Sequence, residues 1–254
     1  MRLALISDIH ANLPALEAAL ADIDARGVDA TFHLGDLVGY APWPNEVVAL
    51  LAARGITGVS GNYDSTVGLD YRHCGCRYED PRQEALSHQS FEWTKAACSP
   101  ATRQALAVLP FRLDLHPLGG HGAGPCLVLV HGTPTLNTVY WTEDRSDEFC
   151  LRMAGLAGLR AGDLIAFGHT HRPWHRVVGG IHFVNTGSVG RPKDGDARAG
   201  YTTVDLTAGG VDVVHHRVRY DVERTAGAIL DSTLPDEFAW YVRTGGGSLE
   251  PPAP

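Results

Sequence analysis

The sequence predicts an α/β fold, and three observations carry that prediction. Short apolar runs alternate with helical patterns between residues 3 and 59. Strand-like segments joined by short glycine-containing turns dominate after residue 126. Aspartate, asparagine and histidine fall just after the apolar runs, where parallel sheets deliver their ligand-binding groups.

Residues 3–6 form the first apolar run. Asn12 then stands as a helix cap with Pro14 in the first turn, and Leu13, Leu16, Leu20 and Ile23 recur at helical spacing before Gly27. Residues 30–34 read as a second strand, and residues 56–59 as a third. Between them, Val47, Val48 and Leu51 mark a helix ending by Gly55. Residues 65–110 break the rhythm with Pro81, Pro100 and Pro110 and helical patterns near 82–97 and 101–109, so they read as a helical lid insertion. Strands are expected at 126–130, 163–167, 181–184, 201–204 and 211–218, and Asp221 caps a helix running through Leu230. Residues 1–243 therefore make one domain, and residues 244–254, with three glycines and three prolines, are expected to be a disordered tail.

The composition excludes several classes. The chain has 254 residues with 21 Lys and Arg against 29 Asp and Glu, a net charge of −8, and no basic run, which argues against general nucleic-acid binding or an anionic membrane surface. The N-terminus reaches Asp8 too soon for a signal peptide, and runs such as residues 127–130 are far too short to span a membrane. An odd count of five cysteines fits a reducing compartment, and the expectation is a soluble cytoplasmic protein.

Five strand ends carry the chemistry: Asp8 and His10, then Gly35-Asp36, Gly61-Asn62, His131-Gly132, and Gly168-His169-Thr170-His171. Two aspartates, one asparagine and four histidines are too many ligands for one ion. Seven donors with one bridging carboxylate furnish two adjacent open sites. Mixed imidazole and carboxylate donors favour Mn, Fe, Zn or Co over Ca or Mg, and we take Mn as the favoured ion. Gly35, Gly61, Gly132 and Gly168 let the backbone turn tightly beside the ligands.

Ser7-Asp8-Ile9-His10, Gly35-Asp36, Gly61-Asn62-Tyr63-Asp64, His131-Gly132 and Gly168-His169-Thr170-His171 together resemble the calcineurin-like metallophosphoesterase superfamily, in particular its small bacterial and archaeal phosphodiesterases. The resemblance spans residues 3 to about 206 and implies a two-sheet sandwich flanked by helices. It implies that Asp8, His10 and His171 bind one metal, that Asn62, His131 and His169 bind the other, and that Asp36 bridges them. The implied activity is hydrolysis of small phosphodiesters or nucleotides by a hydroxide held between the ions. Asn62, Tyr63 and Asp64 fall at the family's catalytic positions, with Tyr63 standing where the family has a histidine thought to protonate the leaving group. A phenol is a weaker acid catalyst than imidazole near neutral pH. Residues 185–192 resemble the family's Asn-Pro-Gly-Ser segment and read as a tight turn beneath the metal loops. Asn62 and Arg191 are the candidate substrate contacts.

Other readings fit some of the same residues. Singly, Asp8, Asp36 and Asn62 are ordinary strand-end caps. His33 lies within its strand and reads as a core residue, and His121 as a surface histidine in a glycine-rich loop. Cys74-Gly75-Cys76 beside His73 lacks a second ligand pair for zinc unless Cys98 or His88 supplies one. Trp43, Tyr71, Tyr78, Trp93 and Trp141 suit packing of the insertion better than base stacking. A protein phosphatase would need a broad open groove. A non-catalytic scaffold of the same fold draws support from Tyr63, but has no physical need for seven ligands.

Overall fold

The computed structural model describes residues 1–76, 80–116, 124–207 and 210–250. Strand β1 (Arg2–Ile6) is followed by helix α1 (Leu13–Ala25), β2 (Ala30–His33), α2 (Pro44–Ala53) and β3 (Thr57–Gly58). The Asn12 side chain accepts from the Ala15 amide to cap α1, with proline in the first turn. Helices α3 (Asn62–Gly68), α4 (Pro81–Ala97) and α5 (Pro100–Ala107) form the insertion. Next come β4 (Leu113–Leu115), β5 (Leu127–Leu129), α6 (Asp147–Ala157) and β6 (Leu164–Phe167). Strands β7 (Trp174–Val178), β8 (Ile181–Asn185), β9 (Ala199–Thr207) and β10 (Gly210–Val218) precede α7 (Val222–Leu230) and α8 (Glu237–Arg243).

The strands make two mixed five-stranded sheets, ordered β10-β9-β1-β2-β3 and β4-β5-β6-β8-β7. In the first, β1, β2 and β3 are parallel and β9 runs antiparallel to β1. In the second, β5, β6 and β8 are parallel, with β4 and β7 antiparallel at the edges. Side-chain alternation sorts the core into three layers. Leu3, Leu5, Leu127, Leu129, Leu164 and Val204 fill the space between the sheets. Ala4 and Ile6 point the other way, onto Leu16, Leu20 and Ile229 of the helices. Val128, Ile165 and Phe167 form the outer layer of the second sheet, with Trp141 and Met153.

The parallel strands of both sheets end on the same side, where the loops hydrogen-bond across the sandwich. The Val189 amide donates to the Ser7 carbonyl at 2.9 Å, and the Gly190 amide donates to the Asp8 carbonyl at 3.1 Å. The insertion is seated on the first sheet's helical face. Phe91, Leu86 and Leu106 are buried there, and the Asn45 amide bonds the Ala97 carbonyl.

Five elements go beyond the sequence reading: α3, β4, α6, β7 and α8. Residues 244–250 also depart from the expected disordered tail. The Gly195 amide donates to the Gly245 carbonyl at 2.9 Å, the Gly246 amide donates to the Tyr241 carbonyl at 2.9 Å, and Leu249 packs on the core. Residues 251–254, His121 and Tyr78 lie outside the described residues. Trp141 is fully buried and stacks on Phe167 at 4.4 Å, so it belongs to the second sheet's core and not to the insertion.

Candidate metal centre

All seven sequence-predicted ligands converge at this side of the sandwich, each no more than 3% exposed. Asp8 follows β1, Asp36 follows β2, Asn62 opens α3 after β3, His131 follows β5, and His169 and His171 follow β6. Five of them, Asp8, His10, Asp36, His169 and His171, have φ between 50° and 65°, in the left-handed region. Non-glycine residues occupy that region at a cost, and such strain concentrates at functional sites. Neighbouring glycines make room. A Cβ on Gly61 would lie 2.1 Å from Asp36 Oδ1, and one on Gly168 would lie 2.3 Å from Asp8 Oδ2. Gly61 and Gly168 thus serve close approach, without a positive φ of their own.

The donors form two clusters, Asp8 with His10 and His171, and Asp36 with His131 and His169. In the first, His10 Nε2 and His171 Nε2 are 3.1 Å apart, and Asp8 Oδ1 is 3.2 Å from His171 Nε2. In the second, His131 Nε2 lies 3.2 Å from His169 Nδ1 and 3.2 Å from Asn62 Oδ1. Asp36 Oδ2 stands between them, 3.8 Å from His10 Nε2 and 3.5 Å from His131 Nε2. Donors about 2.1 Å from one ion and at right angles around it sit about 3 Å apart, so these separations are those of ligands converging on cations.

The outer contacts fix which atom each residue offers. His10, His131 and His171 donate from Nδ1 to the carbonyls of Val38, Leu34 and Arg191 at 3.1, 2.8 and 2.5 Å, which leaves the Nε2 lone pair facing the centre. His169 turns the other way and presents Nδ1. Asp8 Oδ2 accepts from Ser7 Oγ at 2.7 Å and the His169 amide at 3.0 Å, while Oδ1 is buried without a hydrogen-bond partner. An orphaned carboxylate oxygen among lone pairs needs positive charge, so the residues fit divalent cations. Burial pushes His10 and His169 down to about 3 and His171 well below its usual value, keeping them in the neutral form that ligates. Against the same desolvation the Asp36 carboxylate raises His131 to about 10, so a cation bound there would take the place of its Nε2 proton.

A profile of the calcineurin-like phosphoesterase superfamily domain matches residues 1–209. The chain belongs to that superfamily. It is also 31% identical over 255 residues to the uncharacterized protein MJ0912 of Methanocaldococcus jannaschii, covering 92% of this chain and 94% of the relative. The fold is similar to that of a metallophosphoesterase from Sphaerobacter thermophilus, with a TM-score of 0.74 at 28% identity over 96% of this chain and all of the other. It also resembles the hypothetical protein PH1004 of Pyrococcus horikoshii, with a TM-score of 0.79 at 22% identity over 97% and 99% of the two chains. Calcineurin-like phosphoesterases characteristically hold divalent metals, in agreement with the two donor clusters.

Tyr63 and Asp64 occupy the family's motif without facing the centre's open side. The Tyr63 phenol is 1% exposed, packs against Tyr40 and Phe91, and donates to the Ser87 carbonyl at 3.4 Å. Burial and then the Tyr40 phenol raise its pKa well above the ordinary value. The hydroxyl that the family resemblance casts as a weakened acid thus faces Ser87 of α4, while its ring lies edge-on to that of His10 at 5.7 Å. The Asp64 carboxylate accepts the backbone amides of Asp36, Leu37 and Gly61, so it organises loops and has no oxygen left for a substrate.

Arg191 lies flat between Tyr40 and Tyr241, 3.9 Å from each ring centroid, while its carbonyl holds His171. The turn before it supports the metal loops: Ser188 Oγ donates to the Asp8 carbonyl at 2.7 Å, and Asn185 Nδ2 donates to the Gly168 carbonyl at 2.7 Å. Three half-buried residues border the centre, Cys76, Tyr140 and Lys193; the sequence reading took Cys76 only as a zinc candidate or part of the insertion loop and missed the other two. Tyr140 lies over His169 at 4.4 Å. Burial, and then the neighbouring Arg191 charge, push the Lys193 ammonium down to about 8. Its place two residues after Arg191 was the available signal. Cys74 and Cys76 form no disulfide and belong to neither donor cluster.

Proposed function

We propose that this chain is a metal-dependent phosphoester hydrolase acting on small phosphodiesters or nucleotides, with Asp8, His10 and His171 holding one ion, Asn62, His131 and His169 a second, and Asp36 shared. The observation that supports it best is the pair of donor clusters meeting at Asp36, with Asp8 Oδ1 left without a hydrogen-bond partner. Two divalent transition-metal ions, Mn favoured, supply Lewis acidity there: they lower the pKa of water and offset charge growing on phosphoryl oxygens. The chain's own residues supply the placement. Asn62, the expected phosphoryl contact, has both amide hydrogens taken by the Cys74 carbonyl and Cys76 Sγ and so serves through Oδ1 as a ligand, while Arg191, whose charge faces His10 and His171, opposes the charge that develops on the phosphate.

With Tyr63 buried and Asp64 fully engaged, none of the motif's side chains hands a proton to the leaving group. The enzyme therefore prefers esters with acidic leaving groups. The half-buried ring of Cys76, Tyr140 and Lys193 favours small substrates over a protein phosphatase's broad groove. Five cysteines, none in a disulfide, support a cytoplasmic location, and among the described residues no helix is long and apolar enough to cross a membrane.

The test is hydrolysis of bis-p-nitrophenyl phosphate beside p-nitrophenyl phosphate by chelator-stripped protein reloaded with Mn, with His171→Ala as control. Metal-restored turnover lost in the variant, with the diester preferred, is expected. Absence of turnover with Mn, Fe, Zn and Co, despite two bound ions per chain, would move the reading to a non-catalytic scaffold.

A further inference from the structure

The Cys74-Gly75-Cys76 segment lies against the one uncharged carbonyl donor of the centre. Asn62 Nδ2 donates to the Cys74 carbonyl at 3.1 Å and to Cys76 Sγ at 3.2 Å. A carboxamide nitrogen carries two hydrogens, so both are engaged and the amide cannot flip without losing them. Its oxygen is thereby turned towards His131, 3.2 Å away. Gly75, at φ 77°, makes the turn that brings the carbonyl of one cysteine and the sulfur of the next onto the same amide. Cys76 also bonds the Tyr140 hydroxyl, and the Tyr140 ring lies 4.4 Å from that of His169. One half-buried sulfur thus touches the neighbours of two ligands, Asn62 and His169, and both belong to the same half of the centre.

Resting on the ligand assignment above, we propose that Cys76 is a positioning residue for the Asn62 half of the centre. With the Cys74 carbonyl it fixes the Asn62 amide so that Oδ1 faces the ion, and modification of its thiol loosens that ion and not the one held by Asp8, His10 and His171. Outer contacts that orient ligands typically change metal affinity about 10- to 100-fold when removed.

The test is a titration of the chelator-stripped full chain with Co(II), counting bound ions and following the visible spectrum, on wild type, Cys76→Ala and Cys76→Ser. Wild type takes two ions. Cys76→Ala is expected to bind one of them about 10-fold more weakly with the other unchanged, and Cys76→Ser, which keeps an acceptor, stays within about 3-fold of wild type. The Tm of the stripped proteins should be the same for all three. Iodoacetamide, whose halide the Cys76 thiolate displaces, should release one ion from loaded wild type and none from loaded Cys76→Ser, a readout independent of how Cys76→Ala folds. Unchanged affinity in Cys76→Ala, equal weakening of both ions, or no rescue by serine would each overturn the proposal. Uptake of fewer than two ions by wild type would instead count against the ligand assignment itself.

Discussion

Asp64 holds Asp36 in place through the backbone: its Oδ2 accepts the Asp36 amide at 2.8 Å while Oδ1 accepts the Leu37 amide at 2.8 Å. Asp36 sits at φ 53°, a conformation that needs outside support, and the Gly61 amide at 2.9 Å ties the next ligand loop to the same carboxylate. Asp64→Asn puts an amide donor against backbone donors and leaves a buried N–H without an acceptor. The expected cost is about 2–3 kcal/mol of stability, or roughly 5–10 °C in Tm, measured by thermal unfolding of chelator-stripped protein. An unchanged Tm would remove Asp64 from this role.

Tyr63→Phe removes a long hydrogen bond to the Ser87 carbonyl and the hydroxyl's bond with Tyr40, both from a side chain that is 1% exposed. Turnover of bis-p-nitrophenyl phosphate should stay within about 2-fold of wild type, since about 0.4 kcal/mol corresponds to that factor. Rates across a series of aryl esters should fall steeply as leaving-group pKa rises, equally in both proteins. A loss above 10-fold confined to poor leaving groups would restore the phenol as an acid.

His33 is buried at the end of β2 with Nδ1 lacking a hydrogen-bond partner, and burial pushes its pKa down to about 4. The unfolded chain, near 6.5, binds the proton first as pH falls, so this histidine's contribution is fully present above about 6.5 and lost progressively towards pH 4. The full span is worth about 3 kcal/mol. Urea unfolding of metal-loaded protein at pH 7 and pH 5 should show the loss in wild type, and His33→Phe should flatten it.

Gly168→Ala places a Cβ 2.0 Å from Ser7 Oγ and 2.3 Å from Asp8 Oδ2, the pair that orients Asp8. The ion held with His10 and His171 should bind at least about 10-fold more weakly, read by competition with a chelator dye. Wild-type affinity would show that the loop shifts without cost.

The convergence of the seven candidate side chains was legible in the sequence because each follows an apolar run, and parallel strands deliver their ends to one place. The first three strands and α7 could be read for the same local reason, with Asn12 and Asp221 as caps. Strand β7 was not legible, since Trp174, His175 and Arg176 carry no clean alternation and it pairs only with β8 at a sheet edge. Helix α6 had its signals in Ser146 as cap and Gly158 at φ 74° past its end, but a glycine inside it weakens the pattern. Tyr63 follows Asn62 in sequence, but the turn of α3 sends the two side chains in different directions, which sequence position alone does not show. The contacts of Cys76, Tyr140 and Lys193 are tertiary and leave no periodic trace.

The most direct measurement is anomalous diffraction at the manganese edge from crystals of wild type and Asp36→Asn soaked in Mn. Wild type is expected to show two peaks about 3.5–4 Å apart, one among Asp8, His10 and His171 and one among Asn62, His131 and His169, both weakened in Asp36→Asn. A single peak in wild type, or loss of only one in the variant, would contradict a centre shared through Asp36.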